Sequence, residues 1–73
     1  MEKFVERIKT LREKEGLTQE QVAKAVGIQG RTYQYYEGGS YAPSAVNLIG
    51  IAKLYHVSID YIVGLTDDPT CHW

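Results

Sequence analysis

Few folds accommodate the stretch Thr18–Gly39, TQEQVAKAVGIQGRTYQYYEGG. Thr18 followed three residues later by Gln21 is the pattern in which two side chains satisfy each other's backbone N–H groups at a helix start. Val22, Ala23 and Val26 then recur at helical spacing, and Gly27 ends the segment by entering the left-handed region at little cost. Ala23 is small enough to let a second helix cross close by. That second helix, about residues 30–37, turns Tyr33 and Tyr36 inward and leaves Gln29, Arg31, Gln34 and Tyr35 on its outer side. The stretch therefore predicts two short crossed helices with a polar, far-reaching outer face.

The rest of the chain must cover the inner side of that pair. At 73 residues it makes one domain, and a domain of this size buries roughly 60% of the surface its unfolded form exposes, so packing must be tight. Apolar residues at 44% against 23% charged exclude a disordered segment. The single cysteine, Cys71, excludes an internal disulfide and suits a reducing compartment. Charged residues from Glu2 onward replace the apolar core of a signal peptide, and no apolar run could span a bilayer. The expectation is a soluble, cytoplasmic protein without a membrane partner.

Residues 2–15 predict a first helix with Phe4, Ile8 and Leu11 on one face and Val5 beside them. Gly16 closes it. After the crossed pair, Gly38-Gly39-Ser40-Tyr41-Ala42-Pro43 is a loop, and Ser44 caps a fourth helix with Ala45, Leu48, Ile51, Ala52 and Tyr55 as its core stripe. Gly50 inside that helix costs about 1 kcal/mol relative to alanine unless something packs closely on it. His56 ends the helix, and Ser58 caps a short fifth one, Ile59–Val63, closed by Gly64.

The crossed pair has the layout of a helix-turn-helix with a recognition helix. Over about residues 4–68 the chain resembles the phage repressor and Cro (Xre) family of DNA-binding domains. The resemblance is carried by Arg7-Ile8-Lys9-x-Leu11-Arg12, Gly16-Leu17-Thr18-Gln19-Glu20, Ala23, Gly27, Arg31-Thr32-Tyr33 and Tyr36-Glu37-x-Gly39. It continues through Pro43-Ser44, Ile51-Ala52 and Val57-Ser58-x-Asp60-Tyr61. It implies an all-α fold: a compact five-helix bundle over residues 1–66, with the helix-turn-helix formed by helices 2 and 3, and a tail at 67–73. It also implies a sequence-specific regulator of double-stranded DNA, most simply a repressor at an inverted-repeat operator, with helix 3 in the major groove.

Carried position by position, the DNA contacts fall on Thr18, Gln19, Gln29, Gly30, Arg31, Gln34 and Tyr35, with Ser40 and Tyr41 in the following loop. Arginine forks onto guanine O6 and N7, and glutamine pairs with adenine N6 and N7. Thr18 and Gln19 stand where free N–H groups at a helix start meet phosphate. Tyr35 can stack on a sugar or thymine methyl, or donate its hydroxyl to phosphate. Many members of the family carry lysine and arginine where this chain has Ser40 and Tyr41, and often a polar or charged side chain where it has Gly30. With a net charge of −1, these departures support a rival: a protein-interaction module on the same fold with weakened DNA binding.

Arg12 and Glu37 match a family pair that bridges helix 1 to the end of helix 3, a structural ion pair. Adjacent Cys71 and His72 lack a second ligand pair at zinc spacing, so no metal is expected. No nucleophile–base–acid set can be placed, so the chain is expected to be no enzyme and to need no cofactor or small-molecule ligand. In helix 5, Ile62 and a neighbour face the core while Tyr61 and Leu65 remain outside with Ile49 and Leu54, which points to a homodimer interface; the alternative is a monomer in which the tail through Trp73 folds back over them.

Overall fold

The computed structural model describes residues 2–71, so His72 and Trp73 at the end of the expected tail lie outside the described residues. Five helices follow in order: α1 (Glu2–Lys14), α2 (Gln19–Val26), α3 (Gly30–Gly38), α4 (Ala45–Tyr55) and α5 (Ile59–Val63). The starts of α2, α4 and α5 are set by the expected hydroxyls. Thr18 Oγ1 accepts the Gln21 N–H at 3.1 Å, and the Gln21 side chain accepts the Thr18 N–H at 2.8 Å, closing the reciprocal cap. Ser44 and Ser58 accept from Asn47 and Tyr61 at 3.2 and 3.0 Å. Gly27, at φ 87°, donates its N–H to the Ala23 carbonyl and redirects the chain into α3. His56 ends α4 in the same left-handed region, at φ 54°.

Crossed α2 and α3 form one side of the bundle; α1 packs on α3 and α5, and α4 on α2 and α5. Their shared core is Phe4, Ile8, Val22, Ala23, Tyr33, Tyr36, Ile51, Ala52, Val57 and Ile62. Phe4 meets Tyr36 edge-on, ring centroids 6.3 Å apart, joining α1 to the inner face of α3. Leu11, Val26, Leu48 and Tyr55 pack around this centre, half-buried. Ala45 is exposed instead of buried, because the first turn of α4 projects beyond the core that its later turns cover.

Arg7 is buried although charged, and its partners are long-range. It donates to the carbonyls of Tyr61 and Thr66 and to the Asp67 carboxylate. Its guanidinium also lies 4.1 Å from the centre of the Tyr61 ring. Tyr61 is thereby half-buried, where an exposed ring was expected. The chain beyond α5 returns along the bundle, with the Ser58 N–H donating to the Pro69 carbonyl at 3.1 Å. Gly64, at φ 89°, sits so close to α1 that a Cβ there would stand 2.5 Å from Lys3 Cβ.

Gly50 has a similar explanation. A Cβ at this position would lie 3.0 Å from Val26 Cγ1, so the glycine lets the end of α2 sit directly on α4. Gly50→Ala should therefore not deliver the gain of about 1 kcal/mol that helix propensity alone would give. Gly50→Val should lower the melting temperature outright. Thermal denaturation of both variants checks this; an alanine variant with the full gain would contradict the close packing.

Candidate nucleic-acid interface

The inner end of α3 is anchored by one carboxylate. Glu37 receives four hydrogen bonds from three side chains: Arg12 Nε at 2.6 Å, Arg12 Nη2 at 3.1 Å, Gln19 Nε2 at 3.1 Å and the Tyr33 hydroxyl at 2.6 Å. The Glu37 side chain is 5% exposed and that of Arg12 15%, so the ion pair is largely withdrawn from water. The remaining Arg12 amino group donates to the Leu17 carbonyl at 3.0 Å, tying the α1–α2 turn to the same cluster. Burial alone would raise the Glu37 pKa, but the hydrogen bonds from Arg12, Tyr33 and Gln19 and the charge of Arg12 outweigh it and hold the pKa below its ordinary value. The hydrogen bond to Glu37 raises Arg12 in turn, and burial followed by that carboxylate raises Tyr33. The Tyr55 hydroxyl is buried near Tyr33 but outside good hydrogen-bond geometry, and burial pushes its pKa up to about 12.

The outer face of α3 is built differently. Arg31, Gln34 and Tyr35 stand at i, i+3 and i+4 and are all exposed. Gln29 is the α3 N-cap, exposed, with no side-chain capping bond. Gly30 is the first residue of the helix, and the carboxylate of Glu20 lies over it. Tyr41 comes from the following loop and meets Tyr35 edge-on with centroids 5.0 Å apart. Ser40 is exposed and donates its N–H to the Tyr35 carbonyl at 3.0 Å.

Two open depressions flank this helix. One, of about 600 Å³, is lined by Thr18, Gln19 and Gln34 together with Lys9 and Arg12. The second, of about 480 Å³, lies between α2 and the start of α3, among Thr18, Glu20, Lys24 and Gly30. The structure thus gathers Thr18, Gln19 and Gln34 around one hollow and pairs Tyr35 with Tyr41. Gln19 has a second attachment, because its amide nitrogen is held by Glu37. Lys9 joins this surface without having been singled out from the sequence; its signal was its spacing, one turn before Arg12 on α1. Among the described residues, no three His, Cys, Asp or Glu side chains gather to hold a metal ion. Nor is any described helix long and apolar enough to cross a membrane.

The helix-turn-helix family profile matches residues 8–62, from the core of α1 to the buried Ile62 of α5. The chain belongs to that family. It is 46% identical over 66 residues to the uncharacterized HTH-type transcriptional regulator YobD of Bacillus subtilis, covering 90% of this chain and 59% of that protein. It is 37% identical over 60 residues to the cryptic phage CTXphi transcriptional repressor RstR of Vibrio cholerae, covering 82% of this chain and 54% of RstR. The chain thus spans little more than half the length of these two relatives. Among solved structures, the P22 c2 repressor in complex with a synthetic operator superposes with a TM-score of 0.77 at 29% identity, covering 81% of this chain and 89% of that one. The five helices therefore form the fold of phage repressor DNA-binding domains.

The Glu37 cluster predicts a pH-dependent stability. The carboxylate has a lower pKa folded than unfolded, so its contribution is fully present above the unfolded value, near 4.5, and is lost as pH falls through the folded one. Arg12→Ala or Glu37→Ala alone should each cost on the order of 3 kcal/mol, since either leaves polar groups buried without a partner. The double variant should cost less than the sum. Glu37→Gln should flatten the acid limb of a melting-temperature series against pH. Additive single variants, or an unchanged acid limb, would contradict the cluster.

Proposed function

We propose that this chain is the operator-binding domain of a transcriptional repressor, acting in the cytoplasm on double-stranded DNA. The observation that carries this reading is the outer face of α3. Arg31, Gln34 and Tyr35 are exposed there, while Tyr33, Tyr36 and Glu37 fasten the opposite face to the bundle. The likeness to the P22 c2 repressor, solved with a synthetic operator, supports DNA as the partner.

Each residue has a role suited to its chemistry. Arg31 forks onto guanine, and Gln29 and Gln34 read adenine. Gly30 leaves the first position of α3 without a side chain of its own. Thr18 and Gln19 present the N-terminus of α2 to a phosphate. The hydroxyls of Tyr35, Ser40 and Tyr41 reach the sugar–phosphate backbone where cationic side chains are missing. The net charge of −1 favours a rival, a protein-interaction module on the same fold, but that rival gives no reason for a reaching polar face on α3.

One recognition helix reads only a few base pairs, so the proposed bound form is a two-fold homodimer. Leu65 is 78% exposed and Ile49 43%, with Leu54 also at the surface; these side chains and the outer edge of Tyr61 supply the apolar contact. The domain is taken as residues 1–66, followed by the segment 67–73.

Selection from random duplexes at low and moderate salt tests the reading. The expected motif is an inverted repeat with half-site centres about 10 base pairs apart. Arg31→Ala should keep its helical content but lose preference at one base pair of each half-site, worth about 1–3 kcal/mol. Failure to recover any motif would favour the rival. A single half-site would remove the dimer and leave the DNA reading standing.

A further inference from the structure

Glu20 is out of keeping with a face that meets DNA. It sits on the first turn of α2, exposed, between Gln19 and the start of α3. Among the described residues it makes no hydrogen bond and no ion pair; Lys24, one turn along on the same rim, is not within pairing distance. Its Oε1 stands 3.3 Å from where a Cβ of Gly30 would be, with Cγ and Cδ at 3.8 and 4.0 Å. The carboxylate thus stands against the place where a side chain at the first position of α3 would begin, close enough that a Cβ there would press on it. That position matters, because the N-terminal residues of a recognition helix are the ones that meet base edges.

We propose that Glu20 reads a base from α2, in the place left open by Gly30, and that the base it reads is cytosine. The inference rests on the operator-binding reading above. An ionised carboxylate has acceptors only, so in the major groove it needs a base that presents a donor. Cytosine N4 is such a donor. Guanine offers only the acceptors O6 and N7, and thymine offers O4 and a methyl group. Adenine has a donor at N6, but its N7 acceptor lies beside it and repels a carboxylate. Selection against the wrong bases is therefore as much a part of the device as the bond to the right one. Gly30 and Glu20 work as a unit, since a long side chain at Gly30 would extend from a Cβ already 3.3 Å from the Glu20 carboxylate and crowd it.

The test compares selections from random duplexes by the wild-type chain, Glu20→Ala, Glu20→Gln and Gly30→Gln. Glu20 is exposed, and thermal melts check that each variant is folded. The wild type should recover one position per half-site with cytosine favoured roughly tenfold over the other bases. Glu20→Ala should lose the preference at that position alone, Glu20→Gln should shift it toward adenine, and Gly30→Gln should abolish the cytosine preference by displacing the carboxylate. If Glu20→Ala instead binds every duplex more tightly with an unchanged motif, Glu20 only repels phosphate and the proposal is overturned. A wild-type chain that selects no motif would overturn the operator reading and this inference together. A wild-type motif indifferent to Glu20 would overturn this inference alone.

Discussion

The position of α3 depends on a carboxylate that water barely reaches. A lone buried charge of this kind would be expelled or protonated, because removing it from water costs several kcal/mol. Glu37 stays ionised because Arg12, Gln19 and Tyr33 together give it four hydrogen bonds. Those donors come from three different helices, so satisfying the charge also fixes α1, α2 and α3 relative to one another. Hydrophobic burial of Tyr33 and Tyr36 supplies the attraction but not the direction. The fork of Arg12 onto Glu37 supplies the direction, since a planar guanidinium accepts a carboxylate in few orientations.

This division of labour leaves the outer side of α3 free. Arg31, Gln34 and Tyr35 are not needed for the fold and so remain available for the proposed base contacts. Holding a reading helix firmly matters more in this chain than in a strongly basic one. With a net charge of −1, little non-specific attraction is on offer, and affinity must come from well-placed hydrogen bonds. Gln19 shows the link most directly: its nitrogen serves the Glu37 cluster, and the same residue opens α2. The proposed operator surface and the stabilising cluster share this residue, so a change at either reaches the other.

Much of this was legible in the sequence because it is local. Thr18, Ser44 and Ser58 announce helix starts within three residues, Gly27 and Gly64 announce ends, and the periodic apolar positions define the core face. What escaped depends on contacts between distant segments. Nothing in the sequence marks Arg7 as buried, because its acceptors are carbonyls of Tyr61 and Thr66 that sequence patterns do not display. Gly50 has no meaning until Val26 is seen against it, and Tyr61 looked free until Arg7 covered its ring. Ala45 satisfied the helical period but sits in a first turn that overshoots the core. Arg12 and Glu37 were paired by family resemblance, whereas the contributions of Tyr33 and Gln19 to that pair were not foreseen.

The most direct measurement of the central claim, that the Glu37 cluster docks α3 so that its outer face alone meets DNA, is a titration of the isotopically labelled chain with its selected duplex, followed by amide and side-chain NMR shifts. The account predicts the largest changes at Thr18–Glu20, Gln29–Arg31, Gln34 and Tyr35, with the Arg12 guanidinium and the Tyr33 ring perturbed little because their cluster stays closed. Changes concentrated on α4 and α5, or a Glu37 cluster that opens when DNA binds, would contradict it.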